Sequence, residues 1–335
     1  MIVTNSLTGG GAERSMNLLA DELSSRGWPI ALVPINFSGP DLMNPMCDIY
    51  PLFRQWRGST LATFSSYLRF NQIVKSFNPE ILILNCDLPE LFGSLLLSKR
   101  TLIVVQHSSL PWGSRKQIGK FIRGVLRFRN AIWVAVSPHL KVWPNETSTT
   151  AILENPVMPI PIETYSQSVK TLKRLVYIGR LSVEKQPEIV IKAAKLLGVD
   201  AILIGDGPLR NALTESCVGS VVKIEFAGWI VNPWSIVKNG DLVLVPSTFE
   251  GDGLIVLEAI QRRVPILISR ISDFAKFDLP EKNYCEGLIE YVNAAQKYSN
   301  NLDGLVIPIA TANKILEPRS IDLIGKKWEI LLDSL

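Results

Sequence analysis

Histidine is nearly missing from this chain. Its 335 residues include two, His107 and His139, so a His-built metal site or a histidine-driven hydrolase has little to draw on. Cysteine is also scarce. Cys47, Cys86, Cys217 and Cys285 lie far apart and form no Cys-x-x-Cys pair, which fits a reduced, cytoplasmic protein without structural zinc. No apolar run is long enough to span a bilayer; the most hydrophobic stretch, 81–105, is interrupted by Asp87, Glu90, Lys99 and Arg100. The first five residues lack the positive start of a signal peptide, so any membrane contact is expected to be peripheral. Net charge is only +4, too weak to imply nucleic acid. With 47% hydrophobic and 20% charged residues, global disorder is excluded and two domains with sizeable cores are expected.

What is present is a repeated alternation of short apolar runs and helical patterns, the mark of parallel α/β sheets. Ile2–Leu7 reads as a short strand. Gly9, Gly10 and Gly11 follow it, then a helix with Met16, Leu19, Ala20 and Leu23 on one face, stopped at Gly27. The glycines suit a tight turn or a close backbone approach. A dinucleotide loop fits poorly, because there is no G-x-G-x-x-G and the next strand, 28–36, ends on Asn36 rather than an acid. Helix 63–77 and strands 81–84, 102–105 and 131–136 complete the first alternation. His107 then falls at a strand's carboxyl end, where open α/β sheets put ligands, although a lone histidine also serves as a hydrogen-bonded structural residue.

Residues 114–129 read as a basic amphipathic helix. Ile118, Phe121, Ile122 and Val125 form its stripe; Arg115, Lys116, Lys120, Arg123, Arg127 and Arg129 supply charge. Such a helix is either a solvated surface element or a landing site for anionic lipid headgroups.

Three prolines at 156, 159 and 161 mark a linker over 156–171, between a domain at 1–155 and a second at 172–319. The second restarts the alternation, with strands at 175–178, 201–204, 223–226, 241–245 and 265–268 and a helix opening at Pro187. A terminal helix is expected over 320–335. In a parallel domain the loops 179–185, 205–208 and 250–253 leave strand carboxyl ends and converge. That edge carries the cations Arg180 and Lys185, the carboxylates Glu250 and Glu258, and a helix N-terminus near Leu254. Cations and helix amides suit a diphosphate; carboxylates accept hydrogen bonds from sugar or ribose hydroxyls. Eight residues span about 12 Å along a continuous helix, the scale of a nucleotide sugar. Glu258 sits in a segment that is apolar nearly all round, so it needs a partner, and a ribose diol would serve.

These residues together resemble a known family. Gly9-Gly-Gly-Ala-Glu-Arg14, Val136-Ser137, Asn155-Pro156, Gly179-Arg180-Leu181 with Glu184-Lys185, Gly205-Asp206-Gly-Pro208, Pro246-Ser247 and Glu250-Gly-Asp-Gly-Leu254 with Glu258 are similar to the retaining GT-B-fold glycosyltransferases of glycosyltransferase family 4. The resemblance implies two doubly wound Rossmann-like domains facing a central cleft, with the terminal helix packed on the first. It implies that Arg180 and Lys185 bind the donor diphosphate, that Glu250 meets the donor sugar and Glu258 the ribose, and that Gly205, Asp206 and the amides of Gly253, Leu254 and Ile255 line the donor site. His107 would contact the transferred sugar, and Gly10 and Gly11 would approach the donor phosphates or the acceptor.

No metal or other cofactor is implied. The leaving phosphate would act as base in attack on the same face of the sugar. The implied partners are a UDP- or GDP-sugar and a lipid-linked or oligosaccharide acceptor, in cell-surface polysaccharide or glycolipid synthesis. A sugar-nucleotide epimerase of the same fold and a silent sugar-nucleotide-binding subunit are the alternatives. Departures from the pattern are a short first strand, which suggests a trimmed sheet edge, Arg263 where glycine is usual, Asp252 where an aromatic is commoner, and the absence of a glycine-rich segment after the last strands.

Overall fold

The structure, a computed structural model, describes residues 1–7, 10–36, 46–55, 59–108, 111–145, 149–157, 160 and 171–335, apart from the Ser114 side chain. Gly9 and most of the 156–171 linker lie outside the described residues. The chain divides into two compact units, Met1–Met158 with Arg319–Leu335, and Pro159–Pro318.

In chain order the first unit contains β1 (Ile2–Thr4), α1 (Gly11–Ser25), β2 (Ala31–Pro34), β3 (Asp48–Ile49), α2 (Thr60–Phe77), β4 (Ile81–Asn85), α3 (Asp87–Leu95), β5 (Thr101–Gln106), α4 (Lys116–Phe128), β6 (Ile132–Ala135) and β7 (Ala151–Ile152). Among the described residues its seven strands are all parallel, in the order β3-β2-β1-β4-β5-β6-β7. The three-residue β1 is therefore not a trimmed edge. It lies inside the sheet, with Ile2 and Val3 fully buried on opposite faces. Side chains alternate across the pleat. Val3, Leu82, Leu84, Leu102 and Val104 face a core shared with α2, α3 and α4. Ile2, Ile83, Ile103 and Val105 face a second core shared with α1.

The second unit contains β8 (Arg174–Ile178), α5 (Pro187–Leu197), β9 (Asp200–Ile204), α6 (Arg210–Glu215), β10 (Ile224–Gly228), β11 (Asp241–Val245), α7 (Leu254–Gln261), β12 (Ile266–Ser269), α8 (Ser272–Ala275), β13 (Tyr284–Cys285), α9 (Gly287–Lys297) and α10 (Ile309–Leu316). Its six strands among the described residues are also parallel, in the order β10-β9-β8-β11-β12-β13. Leu175, Tyr177, Leu203, Leu242 and Leu244 pack on α5 and α9. Strands buried on both faces explain why these runs read as continuously apolar.

The last helix, α11 (Ile321–Asp333), belongs to the first unit. Ile324, Trp328 and Leu332 enter the core that α1 shares. Arg26 joins the two helices, with ion pairs to Glu22, Asp322 and Glu329 at 2.7–2.8 Å, and the Trp28 indole donates to Glu329 at 3.1 Å.

Helix α4 forms as its pattern implies but is turned differently. Gly119, Ile122, Arg123 and Leu126 face inward, while Ile118 and Phe121 are exposed. Trp112 packs on Gly119 so closely that a Cβ there would lie 2.3 Å from the ring. Arg123 is buried because Glu90 supplies its counter-charge, at 2.5 and 2.9 Å, and the Trp133 ring lies 5.2 Å from the guanidinium. Arg127 and Arg129 donate to the carbonyls of Val142, Gly93 and Ser98. Three of the six expected surface charges are thus spent inside the unit.

Candidate functional site

In each sheet the strand order reverses between the first and fourth strands of its unit. Open α/β sheets bind ligands outside the carboxyl ends at such a point. In the second unit this point lies between β8 and β11, so the loops 179–186 and 246–253 flank it.

Hydrogen bonds lock these loops to one another and to the loop after β9. The Leu181 N–H donates to Asp206 O at 3.0 Å, and the Leu209 N–H to Leu181 O at 3.0 Å. The Thr248 N–H and hydroxyl both donate to Glu184 O, at 2.8 and 3.1 Å. Crowding explains the glycines. Gly205 has φ +135°, and a Cβ on it would lie 1.9 Å from Gly179 O; one on Gly207 would lie 2.4 Å from Leu181 O. Gly205 is thus required by loop-on-loop packing whatever it does for a ligand. Asp206 is exposed and accepts from the Gly207 N–H at 2.7 Å.

This locking brings Lys185 and Glu250 together, with Nζ 2.5 Å from Oε1. The Ser247 hydroxyl donates to the same oxygen at 3.0 Å, and the Glu250 N–H donates to Asp273 at 2.6 Å. Arg180 is exposed, and among the described residues its guanidinium makes no ion pair. Its backbone carbonyl accepts from the Tyr177 hydroxyl at 2.6 Å. Burial, reinforced by Glu250, Glu184 and Glu188, pushes the Tyr177 phenol far above its ordinary pKa, so it stays a neutral donor.

Helix α7 begins at Leu254, capped by Gly253 in the left-handed region at φ +73°. The first helical amide with a backbone acceptor is that of Val256, which donates to Gly253 O at 2.9 Å. The amides of Leu254 and Ile255 stand outside the helical ladder, as at any helix start. Because the helix covers only half of the interval from Glu250 to Glu258, the 12 Å span of a continuous helix does not apply. Glu258 is buried, and its hydrogen-bond partner is protein. The Trp234 indole donates to Oε2 at 2.6 Å, and the Arg262 guanidinium lies 5.0 Å from the Trp234 ring. Asp252 is buried too, in an ion pair with Lys276 at 2.8 Å. Arg263, where glycine was expected, has φ +54°. The position takes the left-handed backbone that glycine adopts freely, and the arginine accepts it at a cost.

The remaining expected residues lie in the first unit. His107 directly follows β5 and is half-buried. The adjacent Gln106 side chain is held by Arg123, which donates to Oε1 at 2.9 Å, so the buried Glu90–Arg123 pair supports that strand end. Gly10 caps α1 with an extended backbone, φ −81° and ψ −163°, that any residue adopts. Among the described residues a Cβ there would meet only Glu13, at 3.5 Å. Gly11 opens the helix itself. Cys86 lies between β4 and α3 at φ +79°, but burial, with Glu13, Asp87 and Glu90 near it, holds the thiol well above its usual pKa and disfavours the thiolate.

Trp234, Asp273 and Lys276 escaped the reading of the sequence. Each meets its target from more than twenty residues away, and no local pattern announces it.

Residues 172–298 match the family described as glycosyl transferases group 1. The chain carries a group 1 glycosyltransferase domain. That domain contains both locked glutamates and both cations. A GDP-mannose-dependent alpha-(1-6)-phosphatidylinositol dimannoside mannosyltransferase of Mycobacterium tuberculosis is 34% identical over 119 residues, 33% of this chain and 31% of that protein. The match thus spans about a third of that relative's length. A Campylobacter jejuni protein, GalNAc-alpha-(1->4)-GalNAc-alpha-(1->3)-diNAcBac-PP-undecaprenol alpha-1,4-N-acetyl-D-galactosaminyltransferase, is 22% identical over 84% of this chain and 82% of its own. Among solved structures, Anabaena Alr3699/HepE in complex with UDP and glucose superposes with a TM-score of 0.76 at 16% identity, over 100% of this chain and 99% of that one. The two parallel-sheet, Rossmann-like units are therefore those of the GT-B fold.

Proposed function

We propose that this protein is a retaining glycosyltransferase of family 4. It moves a sugar from a UDP- or GDP-sugar to a lipid-linked or oligosaccharide acceptor, without a bound metal, in the synthesis of a cell-surface polysaccharide or glycolipid. The observation that carries the reading is the locked trio of loops at the switch point of the second unit, which holds Lys185 against Glu250 beside the first turn of α7. The named activities of the Mycobacterium and Campylobacter relatives support it.

In this reading Lys185 and Arg180 hold the donor diphosphate and stabilise it as it leaves. An ammonium has three N–H donors, so Lys185 serves a phosphate oxygen while still bonded to Glu250. Glu250, anchored by Ser247 and Asp273, accepts hydrogen bonds from the donor sugar. Glu258 keeps one oxygen on Trp234 and accepts from the ribose. Leu254 and Ile255 offer their amides, and His107 contacts the sugar. Gly10 supports the reading of its loop as a close-approach element. A serine at that position would complete a capping box with Glu13, so the glycine forgoes helix stability that neither its φ nor crowding by the described residues obliges it to forgo.

A thermal-shift panel tests the donor site. UDP or GDP is expected to raise the melting temperature and NAD to leave it unchanged; a flat response to every nucleoside diphosphate overturns the assignment. Mass spectrometry of products from a donor panel with a membrane-lipid extract then tests transfer. Glu250→Ala is expected to reduce it about 100-fold or more while the fold survives. Undiminished transfer would remove Glu250 from the site.

A further inference from the structure

The two helical layers on the sheet of the first unit differ in charge. On one face, α1 and α11 carry six acids, Glu13, Asp21, Glu22, Asp322, Glu329 and Asp333, against three bases. On the other face, α2, α3 and α4 carry two acids, Asp87 and the buried Glu90, against six bases. The stretch 54–129, which holds this second layer, has twelve Lys and Arg against three Asp and Glu, a net +9 where the whole chain has +4.

The basic layer is also apolar on its outside. Helices α2, α3 and α4 lie side by side, since Phe70, Phe92 and Ile122 share one core, Tyr67 and Phe92 stack edge to face, and Glu90 pairs with Arg123. Their outward faces therefore look the same way. Along α2 the outward residues Leu61, Phe64 and Leu68 recur at helical spacing, with Phe64 60% exposed. On α4 they are Ile118, Phe121 and Phe128, with Phe121 74% and Phe128 89% exposed. Lys116 and Lys120 are also exposed on α4, and Arg69 and Lys75 are exposed on α2. The inward turn of Arg123 and Arg127 leaves these lysines to carry the surface charge of α4.

We propose that the outer face of α2 and α4 is a docking surface for an anionic lipid bilayer. Exposed aromatic and aliphatic side chains insert between headgroups, and the lysines and arginine lie at headgroup level. Two weak signals, apolar insertion and electrostatic attraction, add into one stable contact. Charge complementarity selects the bilayer over a second copy of this chain, since stacking two such faces would oppose like charges across apolar contacts. The surface extends beyond one basic helix, because α2 supplies half of it. It also requires no transfer activity.

The full chain, without donor, is sedimented with vesicles of phosphatidylglycerol or of phosphatidylcholine. It is expected to bind the first, to bind the second far more weakly, and to be released from the first as salt is raised. Lys116→Gln with Lys120→Gln is expected to weaken binding roughly 30-fold, at about 1 kcal/mol per charge. Phe64→Ser with Phe121→Ser is expected to weaken it roughly tenfold or more, including the part that resists salt. All four positions are exposed, and circular dichroism checks that the fold survives. Lys326→Gln, on the opposite face, should leave binding unchanged. Absence of binding to phosphatidylglycerol at low salt, equal binding to both vesicles, or indifference to both double variants overturns the proposal. So does a dimer in light scattering that Phe64→Ser with Phe121→Ser abolishes while vesicle binding stays absent. The nucleotide thermal shift reports separately on the donor site.

Discussion

Two glycine-rich loops, Gly10-Gly11 after β1 and Gly205-Asp206-Gly207 after β9, look alike in sequence and are glycine for different reasons. At 205 the backbone demands it: φ is +135°, and a Cβ would collide with Gly179 O at 1.9 Å. At 10 neither demand exists among the described residues, since the backbone is extended and the nearest atom would make an ordinary contact. A glycine that packing requires says nothing of a ligand. One that packing does not require needs another reason, and the proposed function offers one in the close approach of a phosphate or an acceptor.

Substitutions break or sharpen this contrast. The largest effect is expected from Gly205→Ala, which strains the backbone and pushes two loops apart. It should destabilise the second unit by about 3 kcal/mol or more, read by calorimetry. If the variant melts like the parent, the crowding argument fails. Gly10→Ser is expected to behave in the opposite way. Stability should hold or rise by about 0.5 kcal/mol as a capping box forms with Glu13, while transfer falls about tenfold because an added side chain occupies the approach. Full activity in that variant would reduce Gly10 to a plain turn residue. The smallest effect belongs to Arg263→Gly. It relieves a left-handed arginine but frees the unfolded chain, so chemical denaturation should show a gain of under about 1 kcal/mol. A loss would mean that the arginine side chain does more than tolerate its backbone.

Much of the fold was legible because its signals are local. The run Asp241–Val245 is a strand over the expected residues, and the helix after it starts at Leu254 as expected. Helix α3 was hidden. It lies inside the apolar stretch 81–105, where periodicity cannot separate buried helix from buried strand, and Pro89 sits in its first turn, where proline is tolerated. The two-residue strands β3, β7 and β13 carry too few side chains to show a period. In the candidate site, Lys185 and Glu250 were readable as residues of converging loops, but their contact was not. Each was expected to serve a different part of a ligand, and they serve each other first.

By itself, the amino-acid sequence determined the two parallel α/β units, the loops at their strand ends and the residue types available there. Period, glycine placement and apolar runs act within a few residues of one another. Tertiary structure decided what each charged group meets. Trp234 answers Glu258, Lys276 answers Asp252, and Asp273 holds the amide of Glu250. It also decided which way α4 turns, since Trp112 on Gly119 and Glu90 on Arg123 bury a face that hydrophobicity alone would have left outside. A buried charge must find its opposite or a donor wherever the fold brings one, and that partner has no fixed distance along the chain.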